Sequence, residues 1–549
     1  MMEDYAVRCE DLHFAYDTDL PEVLRGLSIS VPRHSYVVIA GPSGAGKSTF
    51  ARTLNNIIPR FYKGPFSGKR WIAGESLEKQ NIASMALQIG MVFQDFEHQL
   101  FSTDSRHELS FGLENFGISP EEMKQRMSEL AEKFGISHLL NREPLSLSGG
   151  EKQKLAIASV MAYRPKVLVL DEPTTDLDPE SKEFVLQAVP RLRDWIETVI
   201  VIDHESDQFQ KTDHVFLLRH GVIQASGTPQ QVLTDQNLLE ENSLAPVETV
   251  RVQEALKQPA SLLTVTELTK LFAQHKLEPI PVPKRSSTPP VIEVSGVSFK
   301  YKEQQTLALD NINIEIRQGE FAGIIGRNGS GKSTLLRHLN GLQLPQQGTI
   351  RILGKNVREW NRQELSRKVG LVFQNPDHQI FESTVRREIE FGPRQFGFTN
   401  QEVTQATDRA IETMDLSKRV EDDPFQLSKG ERQRVAVASV LSIQPEILIL
   451  DEPTTGLDYR QQKYLMNLLR ELNQSGTTIV IVTHAIQLVS DYCNHAILLA
   501  GGKVVSEGHP RELFFGNHNF RLPPLVELSR SLNGNALSAE EFLQQLRKS

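Results

Sequence analysis

Short apolar runs recur along the chain: Tyr36-Val-Val-Ile-Ala40, Val167-Leu-Val-Leu170, Phe321-Ala-Gly-Ile-Ile325 and Ile447-Leu-Ile-Leu450. None alternates between apolar and polar, so each reads as a strand buried on both faces, the habit of a parallel sheet. Two other stretches do alternate. Ala6-Val-Arg-Cys-Glu-Asp-Leu-His-Phe-Ala-Tyr16 and Ile292-Glu-Val-Ser-Gly-Val-Ser-Phe-Lys-Tyr301 read as strands with one wet face. Helical stretches lie between the strands, for example Pro120-Glu-Glu-Met-Lys-Gln-Arg-Met-Ser-Glu-Leu-Ala131. The pattern predicts an α/β fold built around mostly parallel sheets.

The pattern also occurs twice. Tyr16 and Tyr301 differ by 285 (301 − 16), as do Gly41 and Gly326 (326 − 41); Gln94 and Gln374 differ by 280 (374 − 94), as do Asp171 and Asp451 (451 − 171). A single five-residue length difference between Thr49 and Gln94 accounts for the change, and register holds downstream. The chain is therefore a tandem duplication. From Gln94 to Ser148 and from Gln374 to Ser428 the interval is the same (148 − 94 = 428 − 374 = 54), mostly helical, and predicts an inserted helical subdomain in each copy. Thr264-Val-Thr-Glu267 and Ser538-Ala-Glu-Glu541 fit a capping box ahead of an apolar helix, so a small helical appendix is expected to close each copy. Five prolines in Glu278-Pro-Ile-Pro-Val-Pro-Lys-Arg-Ser-Ser-Thr-Pro-Pro290 make an extended, semi-rigid connector. The expected division is a first domain at 1–240, its appendix at 241–278, a linker at 279–290, a second domain at 291–515 and its appendix at 516–549.

Composition narrows the class. A chain of 549 residues exceeds one core, and 39% hydrophobic with 23% charged residues is ordinary for globular protein. No run approaches the roughly 18 apolar residues of a membrane span, and Met1-Met-Glu-Asp-Tyr-Ala lacks the basic and apolar regions of a signal peptide. Cys9 and Cys493 cannot form a disulfide framework. A net charge of −9 argues against nucleic acid as the main partner.

The chemistry begins after the first buried run of each copy. Gly41-Pro42-Ser43-Gly44-Ala45-Gly46-Lys47-Ser48-Thr49 and Gly326-Arg327-Asn328-Gly329-Ser330-Gly331-Lys332-Ser333-Thr334 both fit G-x₄-G-K-S, placed between a strand and a helix start. That is the context of a phosphate loop: backbone N–H groups and the positive helix end cradle polyphosphate, Lys47 or Lys332 reaches the β- and γ-phosphates, and Ser48 or Ser333 can ligate Mg²⁺. The later runs end in paired acids, Asp171-Glu172 and Asp451-Glu452. The first acid can hold Mg²⁺ and the second can orient a water for attack on the γ-phosphate.

Leu147-Ser-Gly-Gly-Glu-Lys-Gln153 and Leu427-Ser-Lys-Gly-Glu-Arg-Gln433 precede those acids, and with them the chain resembles the ABC ATPase family over both copies. The resemblance implies that Ser148, Gly149 and Gly150, and Ser428, Lys429 and Gly430, bind the γ-phosphate of ATP held by the opposite domain. One complete site would then join Lys47 with Ser428, the other Lys332 with Ser148. It implies that Gln94 and Gln374 are Q-loop glutamines sensing Mg²⁺, that His204 and His484 are switch histidines, and that Tyr16 and Tyr301 stack on adenine. Asp176-Leu-Asp178 and Gly456-Leu-Asp458 fall at the D-loop. Lys429 departs from the usual glycine and would place an extra cation near phosphate. Glu172 and Glu452 are both retained, so two hydrolytic sites are expected, with ATP and Mg²⁺ at each.

Glu97-His-Gln-Leu-Phe101 and Asp377-His-Gln-Ile-Phe381, with Phe111-Gly-Leu-Glu-Asn and Phe391-Gly-Pro-Arg, resemble the segments after the Q-loop in energy-coupling-factor (cobalt-type) ATPases. A fused pair of these is similar to the ATPases assigned to import of hydroxymethylpyrimidine or thiamine; others serve Ni²⁺ or Co²⁺. The implied partners are an integral-membrane scaffold (T) subunit and a small substrate-binding membrane (S) subunit, with the ATPase peripheral on the cytoplasmic face of the membrane. Two alternatives stay open: a soluble tandem ABC ATPase acting on ribosomes, and a tandem sugar-import ATPase. The proline-rich connector counts against the first, the intact acids and histidines in both copies against the second.

Overall fold

The computed structural model describes residues 4–174, 177, 179–191, 195–204, 206–302, 306–516 and 522–548. Asp176 and Asp178 lie outside the described residues. The chain divides into two compact units. The first comprises Met1–Val250, Pro259–Leu262 and Asp458–Arg460; the second comprises Arg251–Gln258, Leu263–Leu457 and Gln461–Ser549.

The strands of the first unit are β1 (Tyr5–Phe14), β2 (Leu24–Pro32), β3 (Tyr36–Ala40), β4 (Phe66–Ile72), β5 (Glu75–Ser76), β6 (Ile89–Val92), β7 (Val167–Asp171), β8 (Thr198–Ile202), β9 (His214–Arg219) and β10 (Val222–Gly227). They form a four-stranded sheet, β2-β1-β4-β5, and a six-stranded sheet, β10-β9-β3-β8-β7-β6. The first is antiparallel; the second is parallel apart from its β10 edge. The uninterrupted apolar run of β3 follows from its place. It pairs with β8 on one side and β9 on the other. Tyr36, Val38 and Ala40 enter one core with Leu155 and Ala156 of the Gly149–Ala162 helix, while Val37 and Ile39 enter the other with Phe50 and Leu54 of the Lys47–Leu54 helix. Side chains alternate across a strand, so a strand between two cores must be apolar at every position.

The second unit repeats the plan with β11 (Pro290–Phe299), β12 (Leu309–Arg317), β13 (Phe321–Gly326), β14 (Gln347–Ile352), β15 (Lys355–Asn356), β16 (Val369–Val372), β17 (Ile447–Asp451), β18 (Thr478–Thr483), β19 (His495–Ala500) and β20 (Lys503–Gly508), arranged β12-β11-β14-β15 and β16-β17-β18-β13-β19-β20. Two helices fill the predicted insertion in each unit, Ser105–Asn115 and Pro120–Lys133 in the first, Val385–Gln395 and Asn400–Thr413 in the second. The alternating strands stop at Phe14 and Phe299, two residues short of Tyr16 and Tyr301, which stand outside the sheet.

The second unit also contains a small separate core in which Val252, Leu268, Phe272 and Leu277 pack with Leu525, Leu528, Leu532 and Phe542. Thr264 forms its capping box with Glu267 in full. At the second appendix Ser538 Oγ accepts from the Glu541 N–H at 3.3 Å, but the Glu541 carboxylate accepts from the Leu537 N–H at 2.8 Å and meets Arg511 at 2.7 Å. Arg511 is buried, and its charge takes the carboxylate. The proline connector between Ile280 and Pro289 has no regular secondary structure and gives Pro290 to β11. It is pinned by paired bonds between Ile280 and Asn535 and by Arg285 on Glu320.

Candidate functional site

Each parallel sheet delivers its loops to one edge. Between β3 and the Lys47–Leu54 helix the chain passes through Gly41–Gly46, and between β13 and the Lys332–Leu339 helix through Gly326–Gly331. The residue ahead of each helix, Gly46 (φ 103) and Gly331 (φ 102), is left-handed, and a Cβ there would lie 3.1 Å from the Val23 carbonyl oxygen or 2.5 Å from that of Ala308. Only glycine fits both limits. Pro42, Ser43 and Gly44 and their counterparts Arg327, Asn328 and Gly329 form the loop tips, while Ala45, Lys47, Thr49, Ser330, Lys332 and Thr334 are buried beneath. Lys47 Nζ donates to the carbonyls of Gly41 and Pro42, both at 2.9 Å; Lys332 Nζ donates to those of Gly326 at 2.7 Å and Arg327 at 3.1 Å. Burial holds the Lys47 ammonium below its ordinary pKa against the pull of nearby Glu172 and Asp171.

The paired acids come to the same edge. Ser48 Oγ donates to Asp171 Oδ1 at 3.1 Å. Burial pushes the Asp171 carboxyl up to about 6, with the bond from Ser48 lowering it and Glu172 raising it. Asp451 is likewise pushed up to about 6 by burial, with Glu452 adding to the rise and Lys332 and Ser333 opposing it. Carboxylates this costly to ionise gain from a cation. The donor set is oxygen only, a hydroxyl and a carboxylate, and among the described residues no three His, Cys, Asp or Glu side chains gather into a metal cluster. This fits Mg²⁺, which needs few protein ligands because waters and substrate phosphates supply the rest.

Glu172 (φ 49) and Glu452 (φ 46) are left-handed residues other than glycine. Such backbone costs on the order of 1–3 kcal/mol and clusters at functional sites. It is held because each N–H donates to the neighbouring strand, to Ile202 and Val482, both at 2.8 Å. The two carboxylates differ in partner. Gln94 Nε2 donates to Glu172 Oε2 at 2.8 Å, and His204 Nδ1 stands 3.9 Å from Oε1. In the second unit His484 Nδ1 lies 2.9 Å from Glu452 Oε2, and Gln374 is exposed.

The signature residues lie elsewhere in each unit. Ser148 and Ser428 cap the Gly149–Ala162 and Lys429–Leu441 helices through complete capping boxes with Glu151 and Glu431. A Cβ on Gly149 would meet nothing within 4 Å, which explains why Lys429 is tolerated at the matching position; one on Gly150 would meet Ser181 at 2.1 Å and one on Gly430 would meet Gln461 at 2.9 Å. The Lys429 ammonium lies against Gly456, 2.2 Å from where a Cβ there would stand. Tyr16 and Tyr301 bond through their hydroxyls to Thr49 at 3.1 Å and Thr334 at 3.3 Å, beside the phosphate loops.

Some participants were not singled out from the sequence. Asp203 accepts from Thr174 Oγ1 at 2.9 Å and from the His204 N–H at 2.6 Å, so it orients the histidine's backbone; adjacency in Ile-Asp-His was its only signal. Glu108 and Glu388 are buried carboxylates that accept two backbone N–H groups each, from Phe101 and Ser102 and from Phe381 and Glu382. They fix the loops that follow the glutamines.

The family model described as ABC transporter matches residues 24–175 and 309–455. The chain is 40% identical over 99% of both chains to a protein of Caldanaerobacter subterraneus subsp. tengcongensis assigned as an ABC transporter ATP-binding protein. A second similar protein, from Methanosarcina acetivorans and with the same assignment, is 34% identical over 94% of this chain and 89% of its own. Among solved structures, cbiO1 of Clostridium perfringens, part of the ABC transporter complex cbiONQ, is similar over 41% of this chain and 90% of its own at 35% identity and a TM-score of 0.39. With both phosphate loops, both acid pairs and both capped signature helices in place, the chain belongs to the ABC transporter family as an ATP-hydrolysing protein with two tandem ATP-binding domains that use ATP and Mg²⁺.

Proposed function

We propose that the protein powers an energy-coupling-factor importer, with a vitamin, a vitamin precursor such as hydroxymethylpyrimidine or thiamine, or Ni²⁺/Co²⁺ as cargo. Its partners would be a membrane scaffold (T) subunit and a small substrate-binding membrane (S) subunit, and it would work at the cytoplasmic face of the membrane. Among the described residues no helix is long and apolar enough to cross a membrane, and in this reading the transport path belongs to those partners. The domain bounds in this reading are 1–240 and 291–515, each followed by its appendix.

The observation that carries the reading is an aromatic pair that recurs in the segment after each glutamine. Phe101 and Phe111 stack edge to face at 4.7 Å, as do Phe381 and Phe391. Phe101 and Phe381 remain 64% and 58% exposed, a poor use of phenylalanine unless something covers it. Each segment is tied to the signature helix: Glu97 pairs with Lys152 at 2.9 Å and Asp377 with Arg432 at 2.8 Å. A scaffold helix docking there would therefore pull on the signature serine.

In this mechanism each triphosphate lies on one domain's loop, with Lys47 or Lys332 on its β- and γ-phosphates, and is covered by Ser428 or Ser148 of the other domain. Asp171 with Ser48, and Asp451 with Ser333, would hold Mg²⁺ together with Gln94 and Gln374; when bound, it neutralises charge on the phosphate oxygens. Glu172 and Glu452 orient and deprotonate water, and His204 and His484 contact the γ-phosphate. ATP closes the two domains and hydrolysis reopens them. Affinity capture of the tagged full chain from detergent-solubilised membranes tests this. Co-purification of a multi-spanning hydrophobic scaffold with a small membrane protein is expected; recovery of ribosomes and no membrane protein would overturn it.

A further inference from the structure

The five-residue difference between the repeats falls at the base end of the first nucleotide cradle. Asn55 Oδ1 accepts from the Ile57 N–H at 3.2 Å, and Asn340 Oδ1 from the Leu342 N–H at 3.0 Å, so the two units still match there (342 − 57 = 285). They match again at Gly68 and Gly348 (348 − 68 = 280), left-handed glycines each packed against a carbonyl of the first strand, Asp11 and Gly296. Between these points the first unit has ten residues (67 − 57), 58–67, where the second has five (347 − 342), 343–347.

The longer loop is anchored beside Tyr16. The Ala15 N–H donates to the Pro65 carbonyl at 3.2 Å, and Gly64 packs so closely that a Cβ on it would lie 1.7 Å from the Ala15 carbonyl oxygen. This anchoring places the Tyr62 ring 5.6 Å from that of Tyr16 at an interplanar angle of 89°. Arg52 joins them, donating to the Tyr16 hydroxyl at 3.3 Å with its guanidinium 5.6 Å from the Tyr62 ring. Phe61 packs against Tyr62 at 5.5 Å and supports it from outside. The second unit keeps the arginine, Arg337 on Tyr301 at 3.5 Å, but meets the tyrosine with the amide of Gln343 at 3.3 Å.

We propose that the 58–67 loop gives the first unit's nucleotide cradle a second aromatic wall, Tyr62, so that this cradle holds the base of ATP more tightly than the second unit's cradle does. The inference rests on the reading of Tyr16 as a base-stacking residue. Two rings at right angles let a purine stack on one while its edge meets the other, and such contacts are favourable in both geometries. Both units share the loop lysine, Lys47 or Lys332, but their loops differ at Pro42-Ser43 and Arg327-Asn328, so a ligand without a base is needed to separate the base from the phosphates.

Isothermal titration of the full chain carrying Glu172→Gln and Glu452→Gln, with ATP and separately with inorganic tripolyphosphate, tests it. Two ATP affinities are expected. Tyr62→Ala weakens the tighter about tenfold, the loss typical of one base–aromatic contact, leaves tripolyphosphate binding unchanged, and is rescued by Tyr62→Phe. If Tyr62→Ala weakens tripolyphosphate equally, or if the parent shows one ATP affinity, the second wall is overturned. If Tyr62→Ala changes nothing while Tyr16→Ala weakens ATP, the second wall fails and base stacking on Tyr16 stands. If neither substitution changes ATP binding, both fail.

Discussion

Glu172 and Glu452 sit in left-handed backbone next to buried acids that burial pushes up to about 6, and the fold spends stability to put them there. Glu172→Gln and Glu452→Gln together are expected to keep ATP binding and lower steady-state hydrolysis at least roughly a hundredfold, the scale of a lost general base; a phosphate-release assay beside an equilibrium binding measurement checks both halves. Undiminished turnover would remove the glutamates from the reaction. Lys429 has a neighbour that its place in the signature motif does not announce. Its ammonium rests on Gly456, a left-handed glycine (φ 70) of the same unit. The matching positions in the first unit hold Gly149 and Asp176. Gly456→Ala is expected to destabilise by about 1 kcal/mol, through its positive φ more than through the movable lysine tip, read from a denaturant midpoint.

Helix starts carry the signature motif. Ser148 and Ser428 satisfy the first orphan N–H groups of their helices through boxes closed by Glu151 and Glu431. Ser148→Ala should cost about 1 kcal/mol of stability, measurable by thermal unfolding and separable from any loss of turnover. The boxes were readable because S-x-x-E is a local pattern. The strand–loop–helix units and paired acids were readable for the same reason: each is fixed by a few consecutive residues. Long-range choices were not. Nothing near Ser538 in sequence says that Glu541 serves the buried Arg511, and nothing near Phe272 says that it packs 6.2 Å from Phe542. The Tyr62 loop was visible only as a length difference without a place. Phe542 is fully buried, and Phe542→Ala is expected to cost about 3–5 kcal/mol in this small core. Amide hydrogen exchange should then quicken in the Val265–Leu271 and Pro524–Ser531 helices while the parallel sheets stay protected.

Taken over the whole chain, duplication gives every part of an ATP site twice: two loops, two acid pairs, two capped serines. Within each unit the loop, acids, glutamine and histidine gather at the sheet edge, and the side-chain bonds of the signature serine go to its own helix start. The function proposed above pairs each cradle with the serine of the other domain. Site-resolved nucleotide trapping in the Ser148→Arg chain tests that crossing most directly: after ATP hydrolysis with a phosphate mimic, trapped photoreactive nucleotide is mapped to the peptide of Lys47 or of Lys332. Loss of label at Lys332 with label kept at Lys47 is the expected result. Loss at Lys47 with label kept at Lys332 would contradict it, because each serine would then serve its own domain.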